Sequence, residues 1–351
     1  MASLLITGGT GTFGKACVEY LLGTAEGEQL RLTHKISRIV ILSRDEYKQY
    51  ILKSKFEQKY GKGAKLLRFF IGDIRDFERL KVAFSDVDFV IHAAAMKQVP
   101  ACEVNPEECI KTNVQGTVNV VNAAISSGVS SVILLSTDKA VEPINIYGAC
   151  KMTGEKYGVF ANSYSKRTTK IGCVRYGNVV ASRGSIIETF LKQSTTTDKF
   201  SITDGTMTRF FMLPEEACEL SFYALFNMWC GGEIFVPQMK AYPIIELVKL
   251  LDSSKEIKYI GVRPGEKINE MLINQSEVRR IYKCPDRNYY VILPENNVWS
   301  VEAMSLRYSG TYSKYAKLSS DDAKKFRSET AERYTDEEIL SLIEKERSHI
   351  E

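Results

Sequence analysis

The chain is poor in the residues that build metal centres and disulfide frameworks. Its 351 residues include only three histidines, His34, His92 and His349. Its eight cysteines (17, 102, 109, 150, 173, 218, 230 and 284) form no C-x-x-C pair. Without spaced Cys/His ligands no metal site is expected, and the thiols read as reduced. His92 closes an apolar strand, where a satisfied core imidazole is expected. No apolar run approaches the roughly eighteen residues that a membrane span needs, so no membrane association is expected. Neither sign of charge dominates. The 47 basic and 43 acidic residues leave +4, spread too evenly for a nucleic-acid surface. Internal repeats and low-complexity tracts are absent. The first apolar strand starts almost at Met1, which leaves no space for a signal peptide, and a cytoplasmic protein is expected.

The chain has ample apolar content (44%) for the core of one large, two-lobed unit. It opens with an apolar run of strand length, residues 3–7, then Gly8-Gly9-Thr10-Gly11-Thr12-Phe13-Gly14, then a helical pattern over 15–22. Strand, glycine turn and helix together make a dinucleotide-binding arrangement. Gly8 would allow the turn, Gly11 would let the backbone approach a pyrophosphate, and Gly14 would let the helix pack closely, with Thr12 and Phe13 beside them. A second strand, 37–42, ends in Ser43-Arg44-Asp45-Glu46, with Lys48 one turn on. An NAD site usually has an acid there. A hydroxyl and two cations suit a 2′-phosphate, so NADP is expected. Asp45 and Glu46 read as helix N-terminal residues favoured by the dipole.

Further strands at 67–71, 87–92 and 131–135 alternate with helical patterns. The expected fold is therefore α/β, a doubly wound parallel sheet of Rossmann type, with a smaller C-terminal α/β substrate lobe. Asp73, after the third strand, could accept a bond from adenine, with Ile74 next to it. Ala93 and Ala94, after the fourth, are small enough for close approach of a ribose. The expected organisation is 1–180 for the NADP-binding domain with the catalytic residues. Residues 181–293 are mainly the substrate lobe, interleaved with the first, and 294–351 form a C-terminal extension. Within these, 243–251 reads as a helix, 289–293 as a strand, 294–320 as extended chain and 336–350 as a terminal amphipathic helix.

The chemistry concentrates after the fifth strand, in Ser136-Thr137-Asp138-Lys139 and Tyr147-Gly148-Ala149-Cys150-Lys151. Tyr147 and Lys151 are four apart and share a helix face. Lys151 can then favour a phenolate whose ordinary pKa of about 10 is too high for a base at neutral pH. Alone, such a pair occurs in any helix rich in Tyr and Lys. Asp138 and Lys139 add a second acid/base pair that a plain alcohol dehydrogenase would not need. Cys150 inside this run, and Cys102 near the loop after the fourth strand, are expected to be alkylation-sensitive without being catalytic.

The segments LLITGGTGTFGKA, LSRDEYKQ, FIGDIRD, FVIHAAAMKQVP, IKTNVQGT, LLSTDKA with YGACK, RYGNVVASRGS, ITDGTMTRFF, GGEIFVP and VRPGEK run in order from Leu4 to about Lys267. In them the chain resembles the extended short-chain dehydrogenases/reductases. Within that group it resembles the C5-inverting UDP-N-acetylglucosamine 4,6-dehydratases. One departure is Gln98, where many relatives have His.

The resemblance implies a tightly bound NADP, recycled within each turnover as the C4 hydride leaves the sugar and returns at C6. Tyr147, helped by Lys151 and oriented by Thr137, would take the 4-OH proton. Lys139, as a neutral amine, would remove the C5 proton, and Asp138 would assist departure of the C6 hydroxyl as water. Reprotonation from the opposite face would give UDP-2-acetamido-2,6-dideoxy-L-arabino-hex-4-ulose, with 5-epimerase activity as a companion. Lys97, Asn178, Arg183, Ser185, Thr203, Arg209, Arg263 and Glu266 would hold the UDP-sugar, arginines suiting its phosphates. A homo-oligomer, dimer or higher up to a hexamer, is implied through the helical segments 106–127 and 145–163. Two other readings are a UDP-sugar 4-epimerase, which has no use for Asp138-Lys139, and a non-catalytic NADP-binding redox sensor, which could lose all five catalytic residues.

Overall fold

The computed structural model describes residues 1–165, 168–182, 184–295, 316–319 and 321–350. The first half runs β1 (Ala2–Thr7), α1 (Thr12–Gly23), α2 (Ala25–Thr33), β2 (Ile36–Ser43), α3 (Glu46–Tyr60), β3 (Leu67–Ile71), α4 (Phe77–Ala83), β4 (Phe89–His92), α5 (Val99–Val104), α6 (Pro106–Ile110), α7 (Gly116–Ser126), β5 (Ser131–Leu135), α8 (Ile146–Ala161) and β6 (Lys170–Val174). The second half continues with β7 (Asn178–Val179), α9 (Ile186–Thr196), β8 (Lys199–Ile202), β9 (Thr208–Met212), α10 (Pro214–Asn227), β10 (Ile234–Pro237), β11 (Ala241–Pro243), α11 (Ile244–Leu251), β12 (Glu256–Tyr259), β13 (Ile281–Lys283), β14 (Tyr289–Ile292) and β15 (Ala316–Lys317). A helix at Asp336–Ile350 follows. Most of 294–320, expected to be extended chain, lies outside the described residues.

A ten-stranded sheet in the order β15-β13-β14-β10-β6-β5-β4-β1-β2-β3 forms the centre. The strands from β3 to β10 pair in parallel, and β14, β13 and β15 add antiparallel ladders at the far edge. The order β3-β2-β1-β4-β5-β6 is that of a doubly wound dinucleotide-binding sheet, whose direction of winding reverses between β1 and β4. Runs such as Leu4-Leu5-Ile6 and the whole of β5 are buried because helices cover both faces. Short side chains start the helices. Asp45 accepts from Lys48 N, Asp76 from Arg79 N and Asn145 from Gly148 N.

A second, smaller core gathers Val180, Phe190, Phe200, Phe211, Tyr242 and Leu247 with Ile339, Leu342 and Ile343 of the terminal helix. Around it stand β7, β9 and β11 in one small sheet and β8 with β12 in another. The chain returns from this lobe to the main sheet through α10, which packs on α1, and through β10.

Candidate active site

The C-terminal ends of β1, β4, β5 and β6 open into a continuous cleft of about 660 Å³ that reaches across to the second core. At one end it is lined by Gly8, Gly11, Thr12, Phe13, Ser43, Arg44, Lys48, Asp73, Ile74, Ala93 and Ala94. Gly8 has φ +66°, and a methyl group there would lie 2.8 Å from the Ala94 backbone. The turn and the close approach both require glycine. Gly14 is set back from the cleft. Its role is packing, since a Cβ would come within 2.4 Å of Gly9 Cα. α1 begins at Gly11 with no side-chain cap and no acidic residue in its first turn. Its first N–H groups and its positive end therefore fit the pyrophosphate of a dinucleotide.

At the end of the cleft beside β2, Asp45 caps α3 and pairs with Lys48 Nζ at 2.6 Å, the helix-start role read for it in the sequence. Arg44 stands 3.6 Å from Asp73 Oδ2, and Arg75 donates to Asp73 at 3.0 and 2.8 Å. Burial pushes the Asp73 carboxyl up, but these donors outweigh it and hold it below the usual carboxylate range. Both cations expected to meet a 2′-phosphate thus face carboxylates here. Ser43 Oγ accepts from Gln49 at 2.9 Å.

His92 is the core imidazole the sequence suggests. Its ring nitrogens lie 2.8 and 3.1 Å from the hydroxyls of Thr7 and Thr117, and burial lowers its pKa to about 3. Asn113 went unnoticed in the sequence. Within a single π-turn at 111–115 it accepts from Met96 N and donates to Met96 O, both at 2.8 Å, and so pins the loop after β4.

The Ser136–Lys139 run leaves β5 as one 3₁₀ turn, Asp138–Ala140, and Asp138 N donates to Tyr176 O at 3.0 Å. α8 sits directly on this turn. A Cβ at Gly148 would lie 2.1 Å from Lys139 O, so the glycine of YGACK sets how close the helix comes. Asp138 has no exposed surface. Its Oδ1 accepts from Thr137 Oγ1 at 2.8 Å and from Lys139 Nζ at 3.0 Å, while Oδ2 has no partner. Lys139 Nζ also meets Glu270 Oε1 at 3.2 Å and Asn178 Oδ1 at 3.5 Å.

One expectation is corrected here. Lys139 was expected to be a neutral amine. Burial alone pulls its pKa down, but the charges of Asp138 and Glu270 outweigh that and hold it as an ammonium well above the ordinary range. For Tyr147, burial pushes the phenol up to about 12, while the Lys139 charge and a bond with Thr137 draw it back. Lys151 lines the same cleft, its own pKa lowered by burial.

Lys97, Asn178, Ser185, Thr203, Arg209, Arg263 and Glu266 also line the cleft, with Gln98 beside Gly184. Arg183 lies outside the described residues. Arg209 does not match its expected phosphate role. It is buried, and its guanidinium donates at 2.8 Å each to the carbonyls of Thr208, Ile268 and Lys267. It therefore holds the 263–270 loop, and Arg263 of that loop is exposed. Ser185 Oγ caps α9, accepting from Glu188 N at 3.0 Å. Glu266 accepts from Thr203 Oγ1 at 3.5 Å and from Arg263 N at 3.3 Å.

Glu270 and Lys267 line the cleft and were not read from the sequence. Lys267 closes VRPGEK and Glu270 lies three residues beyond it, but only the folded chain brings them to Lys139. Cys102, Cys109 and Cys150 pack with Tyr147 in a small core of their own. Burial pushes the Cys150 thiol up to about 12 and that of Cys102 higher still. The expected alkylation sensitivity is thus contradicted, because a thiolate is the reactive form. Among the described residues no cluster could hold a metal ion.

A family model described as "Polysaccharide biosynthesis protein" matches residues 4–292. The chain is 43% identical over 310 residues to the inverting UDP-N-acetylglucosamine 4,6-dehydratase of Campylobacter jejuni subsp. jejuni serotype O:2, covering 86% of this chain and 87% of that one. It is 42% identical over 296 residues to the UDP-glucose 4-epimerase of Rickettsia conorii, covering 83% and 82%. The X-ray structure of Pen from Bacillus thuringiensis superimposes with a TM-score of 0.81 at 32% identity, covering 99% of this chain and 98% of that one. The glycine cradle, the Tyr147/Lys151 helix and this match over most of the chain agree: the protein belongs to the polysaccharide-biosynthesis family of extended short-chain dehydrogenases/reductases.

Proposed function

We propose that the protein is an NADP-dependent UDP-N-acetylglucosamine 4,6-dehydratase that inverts C5, working as a homo-oligomer in the cytoplasm. The observation that carries this reading is the contact between two acid/base systems in one cleft. Tyr147, bonded by Thr137, stands beside Lys139 and the buried carboxyls of Asp138 and Glu270 that meet it. Oxidising and re-reducing one carbon needs only the first system, whereas removing a C5 proton and a C6 hydroxyl needs the second.

A bound nicotinamide would supply hydride acceptance at C4 and hydride return at C6. Tyr147 takes the 4-OH proton, and the positive charge of Lys139 favours its phenolate. The C4 ketone acidifies C5–H, which Lys139 then removes. Asp138, held by Thr137, protonates the departing C6 oxygen. Asn178, Arg263 and Glu266 face the sugar nucleotide, and Arg209 fixes the loop that carries the last two. Among the described residues no helix is long and apolar enough to cross a membrane.

The Rickettsia relative keeps a 4-epimerase in view as a second reading. Incubation with UDP-N-acetylglucosamine in D₂O separates the two. The dehydratase gives a product lighter by one water, carrying deuterium at C5 and the coupling constants of an L-sugar. An unchanged mass with inverted C4 identifies an epimerase. Loss of water with the D-configuration kept would remove the inverting role given to Lys139.

A further inference from the structure

We propose that Glu270 takes the proton that Lys139 must shed before it can act on C5–H, the two side chains forming a proton-exchanging pair. This rests on the dehydratase reading. A lysine held as ammonium cannot be a base, so its proton has to pass to a neighbour once the sugar occupies the cleft, and the buried Glu270 carboxylate already touches it.

The two carboxylates on Lys139 are not equivalent. Asp138 Oδ1 already accepts from both Thr137 and Lys139. The Glu270 carboxylate meets only Lys139, at 3.2 Å through Oε1, and its Oε2 is buried with no partner. Its backbone is fixed by the C-terminal segment. Glu270 N donates to Ser328 Oγ, and Ser328 N donates to Glu270 O, both at 2.9 Å. Glu270 is thus 2% exposed, firmly seated and short of a hydrogen.

Moving one proton from Nζ to Oε1 breaks an N–H bond and forms an O–H bond. It turns the resting ion pair into a neutral pair, and the same contact is kept with donor and acceptor reversed. The penalty on charge at the buried Glu270 lowers the cost of reaching the neutral pair from the resting ion pair. The lone pair freed on Lys139 then takes the C5 proton, and the C5–H electrons pass toward the C4 ketone oxygen. The pair now holds one extra proton, which passes from Lys139 Nζ to Asp138 Oδ1, 3.0 Å away, and from Asp138 to the departing C6 hydroxide, leaving as the eliminated water. Asp138, Arg209, Lys267 and Tyr147 are the other titratable or charged groups that bear on the pair. Glu270 acts through Lys139 and is a positioning residue for the base.

The test follows exchange of C5–H in D₂O by NMR, using as probe the 4-keto product released by the wild-type enzyme, so that no net hydride transfer is required. Glu270→Gln should bind UDP as the wild type does and exchange at least about 100-fold more slowly at pH 7. Its rate should rise about tenfold per pH unit from pH 7 to 9, because solvent hydroxide must now strip Lys139, while the wild-type rate stays flat. Glu270→Asp should regain a substantial part of the rate. An unchanged rate in the Gln variant overturns the proposal, as does a slowed rate with a flat profile, which marks a purely structural part. Should the Gln variant fail to bind UDP, Glu270→Asp decides alone. Slowed exchange with an altered profile supports the proposal and an unaltered profile ends it. A wild-type enzyme that forms no 4-keto product overturns the dehydratase reading itself.

Discussion

Lys139 shows how a single side chain can be read correctly for place and wrongly for state. Its position after β5 and its company with Asp138 follow from the sequence. Its resting charge depends on Glu270, 131 positions away in the chain. Lys139→Ala should keep UDP and NADP affinity and lower dehydration by about 10² to 10⁴, the usual worth of a positioned base. Isothermal titration and product NMR on one preparation check both halves, and preserved turnover would remove Lys139 from the mechanism. Arg44 is the corresponding residue at the cofactor end. A 2′-phosphate would have to draw it from Asp73, which lies 3.6 Å away. Arg44→Ala should therefore weaken NADP binding about tenfold, in the range of a hydrogen bond to a charged group, and leave NAD binding unchanged. Equal losses for both nucleotides in a fluorescence titration would contradict the 2′-phosphate reading.

At the scale of elements, agreement between sequence and structure follows the strength of local signals. β3 and β5 fall on the residues their apolar runs suggest, and the glycine turn and the start of α8 are set by side chains adjacent in the chain. β4 begins two residues late, because Val87 N donates to Phe84 O and closes the turn after α4. The parts not legible are long-range. Glu270, Lys267 and the carbonyls that bind Arg209 reach the catalytic turn only when the second lobe folds over the sheet, and no periodicity records that. The seat of α8 on the catalytic turn gives a direct test. Gly148→Ala puts a methyl group 2.1 Å from Lys139 O, and α8 must shift outward, carrying Tyr147 and Lys151. Activity should fall at least tenfold while far-ultraviolet circular dichroism stays unchanged. Wild-type kinetics would show that the helix position is slack. The thiols beneath that helix should also be inert. Of the eight cysteines only Cys230 is partly exposed, so native protein should react quickly at about one thiol with a disulfide reagent and at all of them once unfolded.

Across the whole molecule, a buried ion network ties the two halves of the chain together behind the site. Arg175, at the end of β6, meets Glu155 of α8 at 2.7 Å and Glu277 of the later loop at 3.0 Å, and donates to Leu272 O at 2.9 Å. All three side chains are nearly inaccessible, so solvent screens the network little. Burial pushes Glu277 up, but Arg175 outweighs it and leaves the carboxyl below its ordinary range. A group depressed in the folded state contributes stability that is complete above its unfolded pKa of about 4.3 and is lost as pH falls through the folded value. Arg175→Met strands two buried carboxylates and should cost about 3–5 kcal/mol at pH 7. Without the guanidinium those carboxyls protonate at higher pH, and a neutral pair tolerates burial. The difference from wild type should therefore shrink as pH drops from 7 toward 4, rather than stay constant as for a packing defect. Urea unfolding midpoints of both proteins at several pH values decide between the two. A pH-independent deficit would mean that Arg175 contributes through its contacts alone, and a deficit that closes in acid assigns the clamp between α8 and the substrate-side loop to charge.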